Sequence, residues 1–171
     1  MTDILTNLGL RANTASLPIP SYTPHFIIGN FILAHALTSL RGTKILAGID
    51  NNVCPREDLD RFGPAAVKSG KMTQAQLDTL KRRQAAHANA VENYPFFLGA
   101  MIFAELAGLE PAVVNRYAVV YTVIRTVYAV LYARVEKKVL SYLRSVCWWV
   151  GNITCFRLIW FAGKALEAKR S

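Results

Sequence analysis

Cysteine is sparse in this chain. Cys54, Cys147 and Cys155 form no CxxC pair and no metal-ligand spacing. An odd count in an apolar chain predicts free thiols and argues against a disulfide framework or a cysteine-held metal. No cleavable leader is expected from the first residues either. Residues 1–20 carry Asp3 and Arg11 and end in Leu17-Pro18-Ile19-Pro20, without a basic start, a compact apolar run or a small-residue cleavage site. The first apolar stretch is therefore expected to act as an uncleaved anchor. There is no internal repeat and no low-complexity tract. Acidic residues are few, 11 against 20 Lys and Arg, which gives a formal net charge of +9.

Hydrophobic residues, in contrast, make up 53% of the 171 positions, and mean hydropathy is +0.23. A chain of this length predicts one domain. The charges cluster between long apolar runs instead of spreading along every helix face, as expected where lipid is part of the solvent. The basic clusters therefore orient the chain at a bilayer, and no nucleic-acid partner is expected.

The apolar runs predict an all-α integral membrane protein, a four-helix transmembrane bundle. The helices are placed at about 22–47, 73–109, 111–134 and 144–167, with a loop at about 48–72, all in one domain spanning 1–171. Thr73 is a natural N-cap before Gln74-Ala75-Gln76, and Pro111 suits a first helical turn. The loop contains Asp50-Asn51-Asn52, Pro55, Gly63-Pro64 and Ser69-Gly70 and no long apolar periodic segment. It reads as irregular, with Asp58 a solvated charge. Basic residues crowd positions 41–83 and 134–144, whereas the 2–3 connection carries none before Arg116. The positive-inside rule then puts both basic connections in the cytosol and the termini on the lumenal side. The sequon at Asn152 lies within the fourth run and is expected to be unmodified.

Polar residues inside such runs are costly, and each is a functional hypothesis. Asn89, Glu92, Asn93 and Phe96 fall at i, i+3, i+4 and i+7 on one helical face, with alanines between them and His87 just before. Glu92 reads either as an interhelical polar lock or as a ligand contact. Tyr117, Tyr121, Arg125, Tyr128 and Tyr132 form a stripe along the third run, and Arg125 is deep enough to require a partner, for which Glu92 is the obvious choice. Arg144-Ser145 opens the fourth run, where Arg144 reads as a snorkelling anchor if taken alone.

Taken together, these sets resemble the MAPEG family, the membrane-associated proteins in eicosanoid and glutathione metabolism. His87-Ala88-Asn89-Ala90-Val91-Glu92-Asn93-Tyr94-Pro95-Phe96 is similar to the second-helix signature of microsomal glutathione transferases and prostaglandin E synthases. Arg125-x-x-Tyr128-x-x-x-Tyr132 and Arg144-Ser145 resemble its third- and fourth-helix elements. The resemblance implies a homotrimer in the endoplasmic reticulum membrane, with glutathione bound between subunits near the cytosolic face. It implies that His87, Asn89, Glu92, Asn93, Arg125, Tyr128 and Tyr132 hold glutathione, with Glu92 on its amino group. Arg144 would face the sulfur, and Ser145 would donate a hydrogen bond to it. There are two departures. Ala85 stands where the signature has arginine, with Arg82 and Arg83 nearby on other faces, and Trp148 stands where some members have tyrosine.

The activity implied is a glutathione transferase or peroxidase acting on lipophilic electrophiles. A glutathione-independent isomerase or cyclase on the same scaffold is the alternative, and Ala85 favours it. A non-catalytic lipid-binding partner is a third reading, opposed by the retained Arg144.

Overall fold

A computed structural model describes residues 3–14 and 17–170. Every regular element among them is helical: α1 (Ile4–Asn7), α2 (Thr23–Ile32), a π-helical turn (Leu33–Leu37), α3 (Arg41–Leu46), α4 (Asp58–Arg61), α5 (Gly63–Lys68), α6 (Gln74–Leu106), α7 (Pro111–Arg134) and α8 (Lys138–Ala168). The three long helices form an up-down-up bundle. The α2–π segment lies against α6 and α7.

Local chemistry explains the long helices. At α6 the Thr73 hydroxyl accepts from the Gln76 N–H (3.2 Å) while the Gln76 side chain accepts from the Thr73 N–H (2.7 Å), a reciprocal capping box. Pro111 occupies the first turn of α7, where its missing N–H costs nothing. Between these helices Gly108 takes φ +70°, a conformation glycine adopts without a Cβ penalty, and the turn is closed by N–H bonds to the Ala104 and Glu105 carbonyls. Phe97, Met101 and Ala104 of α6, Val114 and Tyr121 of α7, and Cys155 and Leu158 of α8 make the main core. The rings of Phe97 and Tyr121 stack there at 4.2 Å.

Three features differ from the sequence reading. The helix expected at 22–47 is broken into α2, the π turn and α3. Thr38 bonds back to the Ala34 carbonyl (2.7 Å) and the Ser39 hydroxyl accepts from the Arg41 N–H (3.4 Å). Such local bonds compete with the helical ladder and end it there. The connection at 48–72 is not irregular, since Leu59, Ala66 and Met72 pack with Leu40, Ile49, Leu77 and Leu80 in a second small core. Asp58 is fully buried there and ion-paired to Lys44 at 2.8 Å, so it is not a solvated charge. Finally, α8 begins at Lys138, earlier than 144.

The expected membrane crossings also need correction as simple apolar spans. No described helix is long and apolar enough to cross a membrane. Polar residues are the cause: Asn89 and Glu92 in α6, Arg116 and Arg125 in α7, and Arg144 and Arg157 in α8 interrupt each apolar window. The helices nevertheless expose many large apolar side chains, among them Ile28, Phe31, Leu106, Val123, Val130, Trp149, Phe156 and Trp160.

Candidate functional site

Arg125 anchors the site. Its position on α7 faces α6, and its Nη2 donates to both the Asn89 carbonyl (3.1 Å) and the Asn89 Oδ1 (2.8 Å). Asn93, one turn on, donates from Nδ2 to the same Asn89 carbonyl (2.9 Å) and side-chain oxygen (3.3 Å). The Tyr121 hydroxyl donates to the Asn93 carbonyl at 3.3 Å. The two Asn89 oxygens satisfy Nη2, while Nη1 is buried with no hydrogen-bond partner among the described residues. The expected Arg125–Glu92 pair is absent. Asn89 takes that position because it projects from α6 toward α7, whereas Glu92 lies on the exposed side of the helix.

From Arg125 a line of rings leads to α8. The Arg125 guanidinium sits over the Tyr128 ring at 4.6 Å, and Tyr128 lies 5.1 Å from Tyr132, centroid to centroid. The Arg144 guanidinium sits over Tyr132 at 4.2 Å. Each contact is a cation–π or aromatic pair of the kind that orients charge in low dielectric. Arg144 also donates from Nε to the Ser141 carbonyl at 3.3 Å, and no carboxylate neutralises it among the described residues. Ser145 is exposed, and its hydroxyl makes no hydrogen bond among the described residues. The third and fourth sequence elements are thus brought together within one chain, and Asn89 and Asn93 join them.

Glu92 and His87 are placed elsewhere. They line a cleft of about 540 Å³ between α3, the 48–72 segment and the first half of α6, with Arg41, Lys44, Arg56 and Gln84. His87 Nδ1 meets the Thr38 hydroxyl at 2.9 Å, which fixes the ring against the π turn. Glu92 is exposed to the cleft and has no ion-pair partner among the described residues. The cleft wall is held by three contacts: Lys44 with Asp58, Lys44 with the Pro55 carbonyl, and Gln84 Nε2 donating to the Arg56 carbonyl at 2.9 Å. Burial works to raise the Asp58 pKa. The hydrogen bond and charge of Lys44 outweigh it, and the carboxyl is held below its ordinary value.

Sequence reasoning missed Arg41, Lys44, Arg56 and Gln84 as cleft residues. The basic ones were legible as orienting charges, and nothing in their spacing distinguished that role from a binding one. It also missed Asn115, which is fully buried. Asn115 donates to the Asn7 (2.6 Å) and Pro20 (2.9 Å) carbonyls and accepts from the Tyr22 N–H (3.0 Å), fastening the N-terminal segment to α7. Ala85 is exposed, and neither neighbouring arginine stands in for the missing one. Arg82 is committed to Glu136 at 2.8 Å, while Arg83 borders a separate groove between the π turn and α7.

Comparison with curated proteins and with solved structures finds no match. The model of the MAPEG family matches residues 22–164. That span contains the asparagine–glutamate face of α6, the arginine–tyrosine line of α7 and the Arg144-Ser145 step of α8. An all-helical chain with these elements in this order, matched over most of its length, belongs to the MAPEG family, whose members are membrane-associated and work in eicosanoid and glutathione metabolism.

Proposed function

We propose that this protein is a membrane-embedded, glutathione-dependent transferase or peroxidase acting on lipophilic electrophiles. The observation that carries the reading is Arg144, a guanidinium free of any carboxylate among the described residues and held over Tyr132 at the end of the Asn89–Arg125–Tyr128 line. The thiolate, not the thiol, is the nucleophile, and an adjacent unneutralised guanidinium favours it. Arg144 supplies that charge, and the exposed Ser145 hydroxyl is free to donate to the same sulfur. In the transferase reaction the thiolate sulfur attacks the electrophilic carbon of the second substrate and forms a thioether as the leaving group departs.

The tripeptide itself has two further ends to satisfy. Glu92 offers a free carboxylate for its amino group, and Arg41 and Arg56 in the same cleft offer cations for its carboxylates. Glutathione is the only cofactor this site requires. Glu92 opens to the cleft beside α3, whereas Arg144 lies against Tyr132 of α7, so a ligand touching both would draw on two copies. That is in keeping with a homotrimer. Membrane residence is supported by the large exposed apolar side chains of α2, α7 and α8, a surface that water alone would not favour. The basic connections would face the cytosol, as the charge asymmetry implies, with the endoplasmic reticulum as the membrane. The apolar substrate would arrive from lipid.

The test is ultraviolet thiolate absorbance of glutathione bound to the purified protein, titrated against pH. Wild type should ionise the thiol well below the free tripeptide, and Arg144→Ala should return it to the free value with affinity largely kept. An identical thiol pKa in wild type, variant and free glutathione would sink the reading. The exposed Ala85, which leaves one glutathione carboxylate contact unfilled, would then favour a glutathione-independent isomerase or cyclase on this scaffold.

A further inference from the structure

Far from Arg144, near the opposite end of the bundle, α7 and α8 enclose a groove of about 340 Å³. Its α7 wall is Arg116, Tyr117 and Val120, and its α8 wall is Val150, Ile153, Thr154 and Arg157, with the Thr154 hydroxyl turned back onto the Val150 carbonyl. The helical spacing, i and i+4 on α7 and i, i+3 and i+7 on α8, gives two facing ridges, each with an arginine at the same end. Arg116 and Arg157 are both exposed, and neither has a carboxylate partner among the described residues. Arg157 lies instead over the Tyr117 and Phe161 rings, at 6.0 and 5.8 Å. The side chains leading away from the arginines, Val120, Val150 and Ile153, are apolar and partly exposed.

We propose that this groove holds an anionic phospholipid of the bilayer, its phosphate on Arg116 and Arg157 and one acyl chain along Val120, Val150 and Ile153. Charge complementarity selects the occupant. Two guanidinium forks with no counter-ion match a phosphate, which accepts two hydrogen bonds from each. The apolar strip below them matches a hydrocarbon chain and has no use for a free ion. Depth supports the same occupant. Tyr117 and Phe161 lie beside Arg157, Trp160 of the same helix is two-thirds exposed, and aromatic rings of this kind sit at headgroup level. The proposal rests on the membrane reading but not on the glutathione chemistry, whose residues lie at the other end of α8.

The experiment uses the full chain reconstituted in phosphatidylcholine bilayers containing a minor fraction of phosphatidic acid, with retained lipid counted by native mass spectrometry. The expected result is about tenfold enrichment of phosphatidic acid, equivalent to ~1.4 kcal/mol. The Arg116→Gln/Arg157→Gln double variant should lose it while remaining folded and membrane-bound. Three outcomes overturn the proposal: no headgroup preference in wild type, full displacement of the lipid by inorganic phosphate, or efficient cross-linking of Ile153→Cys between two copies, which would make the groove a subunit interface. Extraction of wild type by alkaline carbonate would instead remove the membrane reading, and the proposal with it.

Discussion

Asp58 and Glu92 show how far a carboxylate's role depends on its surroundings. From residue type and position, Glu92 in an apolar run reads as an interhelical lock or a ligand contact, and Asp58 in a loop looks solvated. The packing makes Asp58 the buried lock instead, because Leu59, Ala66 and Leu77 form a small core beside its pair with Lys44. Asp58→Asn leaves a buried ammonium unpaired and should cost about 3–5 kcal/mol. Glu92→Gln on an exposed face should change stability by under about 0.5 kcal/mol while weakening glutathione binding. Thermal unfolding of the two variants beside glutathione calorimetry separates these outcomes; a D58N melt equal to wild type contradicts the buried lock. The pH dependence follows from the same pair. The folded-state pKa of Asp58 is depressed, so its contribution is fully present above the ordinary carboxylate pKa of 3.8 and is lost as pH falls through the lower folded value. Wild type should therefore lose stability across that acidic window, and D58N should show a shallower loss there.

Elements were legible where their signals are local. The Thr73–Gln76 box and Pro111 mark the starts of α6 and α7 by chemistry contained in a few residues, and both helices start where those residues predict. The break after Leu37 was hidden, because a run of apolar residues gives no warning that Thr38 and Ser39 will turn their hydroxyls onto the backbone. The early start of α8 was hidden for a different reason. Lys138, Ser141 and Tyr142 do not look like a membrane helix, yet they extend one beyond its apolar part. The candidate site divides in the same way. Asn89, Arg125, Tyr128 and Tyr132 were readable from helical spacing, but the choice of Asn89 over Glu92 as Arg125's partner depends on how α6 is rotated against α7. Asn115 was unreadable, since its three partners come from the distant segment at 7–22. Asn115→Ala leaves those backbone groups unsatisfied. It should release that segment, raising its proteolysis and amide exchange while α6–α8 hold. Unchanged protection at residues 7–22 would show that α1 docks by other contacts.

Assembly is where the single chain leaves the chemistry unfinished. Arg125 is only partly answered within its own chain: Nη2 donates to Asn89, while Nη1 is buried with no hydrogen-bond partner among the described residues. The proposed glutathione site asks for a second copy: Glu92 is a carboxylate facing a basic cleft, while Arg144 lies at the start of the α8 face against Tyr132. In a closed ring of three, each interface is heterologous, so one copy presents its Glu92 face to the neighbour's Arg144 face. That geometry predicts complementation between two defective chains. Arg144→Ala retains an intact Glu92, and Glu92→Gln retains an intact Arg144. Each variant alone should be nearly inactive, because every site carries one lesion. Co-expressed at equal levels, the two should assemble randomly, and about a quarter of interfaces should pair the intact Glu92 of one chain with the intact Arg144 of the other. Mixed trimers isolated through two different affinity tags exclude both homotrimers, and each such ring has one productive interface in three, so their conjugating activity should be about a third of wild type. If mixed trimers form but stay as inactive as the parents, both residues serve one site within a single chain, and the shared-site assembly is wrong.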